Sequence, residues 1–179
     1  MYTLPYQIIR NKLSANVSEI KDLDWYLQQY QANDKNAGLY DLPGVYVEFA
    51  PIDTQQMAGF VQMGTAAIRI HLVTDSIESK GEKRIKRVTA KDHAVIMDEI
   101  YKTLNGKRGL LHEADGFEDV VNTEQDFMVM NSMTRNQIIP PHQLRKNMVS
   151  IQRFECVIYD YSNNKVFQKI EPDLELNEE

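Results

Sequence analysis

The sequence predicts an α+β fold in which a mostly antiparallel sheet packs against an N-terminal helix and one central amphipathic helix. Residues 92–104 carry apolar side chains at helical spacing. Residues 66–73 alternate between two faces as a half-buried strand does, and residues 149–160 form a second long strand pattern. The order of a helix, strands, a central helix and more strands is that of an α+β sandwich.

The N-terminal helix is predicted from Thr3 to about residues 14–16. Thr3 is placed to cap it, and Pro5 is tolerated in its first turn. One apolar stripe is formed by Tyr6, Ile9 and Leu13. The next segment, residues 17–30, fits both helical spacing and strand alternation, and we favour a strand. Residues 31–42 have the composition of a loop.

Two strands are predicted to form a hairpin in the first half of the chain. Residues 44–49 place Val45, Val47 and Phe49 on one face, and the 53–64 segment leads from them to strand 66–73. Gly59 and Gly64 have the spacing of a phosphate-binding loop, but the lysine of that motif is missing. We therefore interpret these glycines as part of a β-turn.

The central helix has start and stop signals of its own. Thr89 is placed as its N-cap, with Asp92 three residues later, and Asn105-Gly106 ends it. Its apolar stripe consists of Ile96, Met97, Ile100, Tyr101 and Leu104.

The second half of the chain is predicted to return to strands. Residues 127–135 form one strand pattern, and Pro140-Pro141 predicts that the ladder does not continue there. The long strand 149–160 follows, and Asn163-Asn164 offers a turn into residues 166–170. We predict a single domain over residues 1–170. The tail, residues 171–179, has five acids in nine residues, and we expect it to be disordered.

The sequence contains no recognisable catalytic or metal-binding motif. Its four histidines lack the spacing of a local metal site, and His71 and His93 are interpreted as a strand-face residue and a first-turn helix residue. No nucleophile elbow occurs, and the acidic stretch around Asp115 lacks the alternating oxygen ligands of a calcium loop. The single cysteine, Cys156, cannot form an internal disulfide, which favours a packed thiol and a reducing compartment. We therefore expect no metal, no cofactor and no enzymatic activity.

Charge is distributed unevenly along the chain. Lys and Arg number 20 against 26 Asp and Glu, and the net charge of −6 argues against wrapping nucleic acid. Residues 76–88 are basic, whereas residues 112–126 are acidic. A head-to-tail contact between copies would bring the two segments together. The candidate interface residues are Lys80, Lys83, Arg84, Lys86, Arg87, Glu113, Asp115, Glu118 and Asp119.

The pattern of these elements resembles the phage tail terminator family, also called tail completion, minor tail or head-to-tail joining proteins, of long-tailed phages and prophages. The resemblance covers about residues 3–161. It lies in the N-terminal helix, Pro43 with strand 44–49, strand 66–75, helix 92–104 with Asn105-Gly106, and segments 126–135 and 153–160. Residues 20–25, Gln29 and 42–49 look especially like a branch from prophages of gut bacteria.

The resemblance implies a structural, non-enzymatic role. Relatives form a ring, described as hexameric, that caps the tail tube, stops its polymerisation and offers a docking surface to the head connector protein. The implied partners are further copies of the chain, the tail tube protein and the head connector. No specific nucleic-acid sequence and no membrane are expected to be bound. The implied location is the host bacterial cytoplasm during assembly and then the virion tail.

Three alternatives stay open at this point. A head-completion or tail-tube component would stack into long tubes and would not stop at one ring. A small metal-dependent hydrolase would use the scattered His and Asp residues and would bind zinc stoichiometrically. A DNA-binding module would use the 80–87 segment and show strongly salt-dependent affinity.

Overall fold

The computed structural model describes residues 3–30, 41–57, 61–75, 90–105, 128–130, 132–144 and 147–160. These residues form two helices and seven strands. In chain order they are α1 (Thr3–Asn16), β1 (Asp22–Trp25), β2 (Gly44–Phe49), β3 (Thr54–Gln56), β4 (Gln62–Asp75), α2 (Ala90–Leu104), β5 (Met128–Met130), β6 (Thr134–Leu144) and β7 (Asn147–Asp160).

The two longest strands, β4 and β7, form the centre of the sheet. They are antiparallel and pair along their whole length, from Gln62 opposite Asp160 to Asp75 opposite Asn147. The other side of β4 is shared by β3 and β2, and the other side of β7 by β5 and β6. β1 lies beside β2 and is parallel to it. The predicted α+β fold with a mostly antiparallel sheet is confirmed.

Both helices pack on one face of this sheet, which we call the helix face. Because side chains alternate along a strand, the even-numbered residues of β4 and β7 point to it. Its core joins Ile68 and Ile70 of β4, Phe154 of β7, Leu13 of α1 and Ile100 of α2. The opposite face, which we call the open face, carries a smaller cluster of Tyr30, Tyr46, Val73 and Val149.

The two predicted helices are confirmed within the described residues. In α1 the stripe Tyr6, Ile9 and Leu13 is buried, as predicted. Tyr6 also stacks on Trp25 of β1, with ring centroids 4.4 Å apart. In α2 the predicted stripe packs on the sheet, and the helix ends at Leu104.

The predicted hairpin is confirmed as the β2–β4 pair, and Val45 and Val47 lie in the helix-face core. The short strand β3 lies in the connection and pairs with the start of β4. The turn interpretation of Gly64 is wrong, because Gly64 is a β4 residue. A Cβ atom there would lie 2.6 Å from the Ile52 side chain, so the absence of a side chain permits close packing.

The strand predicted over residues 17–30 is much shorter in the structure, which assigns only Asp22–Trp25 to β1. A turn follows, in which Gln28 adopts a positive φ of 61°. This turn places Tyr26 and Tyr30 against the open face, where Tyr26 stacks on His71. Packing of these aromatic rings overrides the alternating sequence pattern.

The prediction that Pro140-Pro141 ends the ladder is wrong. Both prolines lie inside β6, and the pairing passes from Ile139 opposite Ile151 to His142 opposite Val149 with a register irregularity. The register skips both prolines, so their missing N–H groups fall within the irregularity and remove no paired position of the β6–β7 ladder. The segment predicted as one strand over 127–135 contains parts of two, β5 and β6.

Several predictions fall on residues that the structure does not describe. These are the turn at Gly59, the N-cap Thr89, the basic segment at 76–88, the acidic segment at 112–126, the turn at 163–164 with the strand after it, and the tail at 171–179. The division into one domain and a tail therefore stays a prediction. Within the described ranges, neither helix is long and apolar enough to cross a membrane.

Candidate functional site

None of the nine candidate interface residues lies in the part of the chain that the structure describes. Lys80, Lys83, Arg84, Lys86 and Arg87 follow the end of β4, and Glu113, Asp115, Glu118 and Asp119 follow the end of α2. Their predicted contact is untested. Among described residues, the outer edge of β6 is the surface with the strongest features of an interaction site.

Among the described strands, β6 is an edge strand, and it has almost no burial. Every residue from Asn136 to Gln143 is exposed, and the side chains of Ile138 and Ile139 are 42% and 39% accessible. Ile138 lies opposite Gln152, whose side chain is on the helix face, and Ile139 lies opposite Ile151 on the open face. The edge therefore presents one exposed isoleucine on each face of the sheet.

The start of β6 is fixed to α2 by a polar network. The backbone N–H of Arg135 donates to Asn105 Oδ1 (2.9 Å), and its guanidinium lies 3.6 Å from the centre of the Tyr101 ring. The same guanidinium donates to Gln152 Oε1 (3.2 Å), and Gln152 donates to the Met97 carbonyl oxygen (2.7 Å). These contacts hold the strand in place while leaving the stretch after Asn136 accessible.

The hairpin of β6 and β7 is also basic in an acidic protein. The sequence from Phe127 to Phe154 contains no Asp or Glu, although the chain has 26. Its cationic residues are Arg135, Arg145, Lys146 and Arg153. Arg145 and Lys146 join the two strands and lie outside the described residues. The acid-free stretch is visible in the sequence, but the sequence prediction missed it because its basic residues are widely spaced and form no charge run.

The open face carries a row of charged residues across the central strands. Glu48 of β2 lies opposite Arg69 of β4, which lies opposite Arg153 of β7. Arg69 donates to Glu48 Oε1 (3.0 Å), and Arg153 donates to Glu155 Oε1 (3.1 Å). The two neighbouring arginines are thus each balanced by a glutamate.

His71 connects this row to the buried tyrosines of the open face. Its Nε2 lies 2.9 Å from Glu48 Oε2 and its Nδ1 lies 2.6 Å from the Tyr30 hydroxyl. Burial lowers the pKa of His71, although Glu48 acts in the opposite direction. The neutral ring with hydrogen on Nε2 satisfies both contacts, donating to Glu48 and accepting from Tyr30. Burial opposes the charge on Glu48, but the hydrogen bonds from His71 and Arg69 prevail and lower its pKa.

A second buried histidine lies under α2. The ring of His93 bridges two hydroxyl groups, with Thr74 Oγ1 2.8 Å from Nδ1 and Ser150 Oγ 2.9 Å from Nε2. Burial lowers the pKa of His93 to about 4. A neutral ring can accept from one hydroxyl and donate to the other, so this contact ties α2 to both central strands.

The described residues assemble no recognisable reaction centre. Cys156 is buried on the helix face, and burial raises the pKa of its thiol to about 12. Such a thiol is not an activated nucleophile. No group of three or more His, Cys, Asp or Glu residues suited to a metal ion occurs in the described ranges. The prediction of a packed cysteine is confirmed.

Comparison with known proteins adds no family assignment. A scan against protein-family models finds no match, and a search of curated proteins finds none.

Proposed function

We propose that the chain is a structural subunit of a phage tail, acting as a tail terminator. In this role several copies form a ring, with six as the expected number, on the end of the tail tube. The ring stops tube polymerisation and offers a docking surface to the head connector. The protein then acts in the host cytoplasm during assembly and in the virion afterwards, without catalysis.

The observation that carries this proposal is the order and pairing of the elements on which the resemblance rests. α1, β2, β4, α2 and β7 occupy the segments that resemble tail terminators. The long β4–β7 pair gives a continuous scaffold of 14 residues in each strand. An assembly subunit needs such a scaffold together with accessible edges and loops, and β6 supplies one accessible edge.

Charge supports the same role. A net charge of −6 disfavours retention of a passing genome, since a ring of net negative charge repels phosphates. The basic residues at 80–87 and the acidic residues at 113–119 are proposed to meet across a subunit or tube interface. Charged residues at an interface rim act mainly on association rate and salt sensitivity.

Mass photometry and electron microscopy of the purified full-length chain, alone and with its tail tube protein, test the proposal. We expect a discrete species near six times the chain mass of 20.8 kDa, and tubes capped at one end. Long tubes of this chain alone would instead identify a tube component. Persistently monomeric protein that leaves tube growth unchanged would contradict the terminator role.

The contribution of the basic segment is tested by changing Lys83, Arg84 and Lys86 to Glu in one variant. We expect this variant to lose the ring species at low salt. A matched control changes three exposed lysines elsewhere, Lys21, Lys91 and Lys102, to Glu. The control alters net charge equally and should keep the ring. Equal behaviour of both variants at low and high salt would remove the basic segment from the interface.

A further inference from the structure

We propose that two copies of the chain associate by antiparallel pairing of their β6 edges, about a two-fold axis at Ile138. The inference goes beyond the proposed function. A two-fold contact joins two copies and is then complete, so it is separate from the head-to-tail contact that a ring requires.

The middle of β6 is an accessible edge with little protection. Exposed edges are usually protected by charged residues, prolines or bulges. Residues 136–144 contain no Asp, Glu, Lys or Arg. The irregularities of the β6–β7 register lie between Arg135 and Gln137 and between Ile139 and His142, where the prolines occur. Between them, residues 137–139 are regular and exposed, and Ile138 is at their centre.

The other described edges are shorter or already occupied. β6 has 11 residues, whereas β3 and β5 have three each. β1 has four residues, and its own side chains cover its outer backbone groups. Asp24 Oδ1 accepts from the Trp25 N–H (2.7 Å), and the Gln29 side chain donates to the Trp25 carbonyl oxygen. A second β6 is therefore the best-matched strand that another copy offers.

The faces of the sheet determine the register. Opposing residues of an antiparallel pair lie on the same face, and Ile138 is on the helix face while Gln137 and Ile139 are on the open face. With Ile138 on the axis, it faces Ile138 of the second copy, and Gln137 faces Ile139. Moving the axis to Gln137 would require Arg135, whose N–H is held by Asn105.

Charge permits a second copy at this edge. The net charge of −6 makes two copies repel each other on average, but two uncharged stretches can pair without opposing like charges. Arg135 would lie about 20 Å from Arg135 of the second copy, beyond a Debye length at physiological salt. Arg153 keeps its contact with Glu155 (3.1 Å). A charged partner strand would find no opposite charge on residues 136–144.

The contact is small, and this sets its strength. Stable interfaces bury at least about 1,000 Å², and two short strand edges bury much less. We therefore expect a weak dimer with a dissociation constant of about 100 µM. It forms in concentrated protein and is absent at the nanomolar concentrations of mass photometry.

Opposite charges placed at the axis test the pairing by sedimentation velocity at low salt. Ile138→Lys and Ile138→Glu should each weaken self-association about tenfold, because each places like charges opposite each other. An equimolar mixture of the two variants should associate to within about threefold of the unchanged chain. Leu27→Lys and Leu27→Glu are the matched controls, since Leu27 is 75% exposed and lies away from β6, and their mixture should show no gain. Denaturation curves verify folding.

Cysteine cross-linking tests the register. Burial raises the pKa of the native Cys156 thiol to about 12, so this thiol stays unreactive. Ile138→Cys places two thiols opposite each other, with Cα atoms about 5 Å apart, and should cross-link about tenfold faster than the exposed control Leu27→Cys. Gln137→Cys and Ile139→Cys each place their two Cα atoms about 8 Å apart, too far for a disulfide. Mixing these two variants should restore cross-linking, because Gln137 faces Ile139.

Three results would overturn the inference. They are an unchanged chain whose β6 edges stay unpaired at about 500 µM, a Lys and Glu mixture that associates no better than either variant, and equal cross-linking at all three β6 positions. Tube capping is scored separately. Paired edges without capping would refute the terminator role alone, whereas capping without paired edges would refute the β6 contact alone.

Discussion

The two buried histidines lie on opposite faces of the same sheet, and their surroundings differ. His93, 0% exposed, lies under α2 between two hydroxyl groups, whereas His71, 3% exposed, has a carboxylate partner with access to solvent. Burial lowers the pKa of both rings, but only Glu48 beside His71 opposes this effect. Burial alone therefore keeps His93 neutral on the helix face, whereas on the open face Glu48 partly offsets the effect of burial on the pKa of His71.

Replacing each histidine with leucine gives the largest expected contrast. His93→Leu leaves the buried hydroxyls of Thr74 and Ser150 without the ring, and we expect a loss of about 3 kcal/mol in unfolding free energy. His71→Leu should cost less, about 2 kcal/mol, because Glu48 keeps Arg69 and is partly exposed, although the buried Tyr30 hydroxyl loses its contact with the ring. Urea denaturation at neutral pH measures both.

A triple variant checks the cause of the larger loss. Changing Thr74 to Val and Ser150 to Ala along with His93→Leu removes the stranded hydroxyls, and should recover more than half of the loss. Equal destabilisation by the two single variants, or no recovery in the triple variant, would contradict the comparison.

The pH dependence of stability should follow His93. Its folded pKa of about 4 lies below the unfolded value of about 6.5, so the unfolded state binds the proton first. Its contribution is complete above pH 6.5 and is lost as pH falls through the folded pKa. The expected loss is about 3 kcal/mol between pH 6.5 and 4.

Urea denaturation of the unchanged chain and of His93→Leu across this range measures the effect. The variant should show a flatter profile between pH 6.5 and 4, after which carboxylates dominate both. Parallel profiles would show that another group carries the dependence.

Two arginines, Arg135 beside α2 and Arg69 on the open face, allow the same comparison with smaller expected changes in stability. Arg135 lies over Tyr101 and bonds to Gln152, so Arg135→Lys should cost about 1 kcal/mol. The Arg69 side chain is 46% exposed in its pair with Glu48, so Arg69→Lys should cost about 0.3 kcal/mol. Thermal denaturation in low and high salt compares them. A larger loss of stability for Arg69→Lys than for Arg135→Lys would contradict this comparison.

The smallest effect is expected in the turn that brings Tyr26 and Tyr30 to the open face. Gln28 has a positive φ of 61°, which glycine adopts without steric cost, so Gln28→Gly should change stability by less than about 0.5 kcal/mol. Leu27, 75% exposed and without positive φ, is the matched control, and Leu27→Gly should be the less stable variant. The opposite order in urea denaturation would exclude relief of backbone strain.

The regular elements were predictable because their patterns are local. The stripe of α2 and the alternation of β2 and β4 reflect burial on one side, and both patterns are visible in the sequence. Residues 17–30 were less predictable, since two periodicities overlap there and aromatic packing decides between them. Pro140-Pro141 misled the prediction because an edge strand tolerates prolines that a central strand does not.

The predicted interface residues and the buried polar sites also differ in how much of each the sequence predicts. Charge runs at 80–87 and 113–119 are visible in sequence, but their location in the assembly is still a prediction. The partners of His71 and His93 are 41 and 57 residues away in the most distant cases, Tyr30 and Ser150. Because such contacts leave no short-range pattern, both histidines could be predicted on the correct elements while their partners could not.

By itself the sequence determined the α+β class, both helices, the long strands and the basic and acidic segments, because periodicity and composition act over neighbouring residues. Only the tertiary structure decided that β1 runs parallel to β2, that β6 forms an accessible edge and that each histidine has its particular partners. Strand order and burial arise from contacts between distant residues, and these contacts form only when the whole sheet assembles.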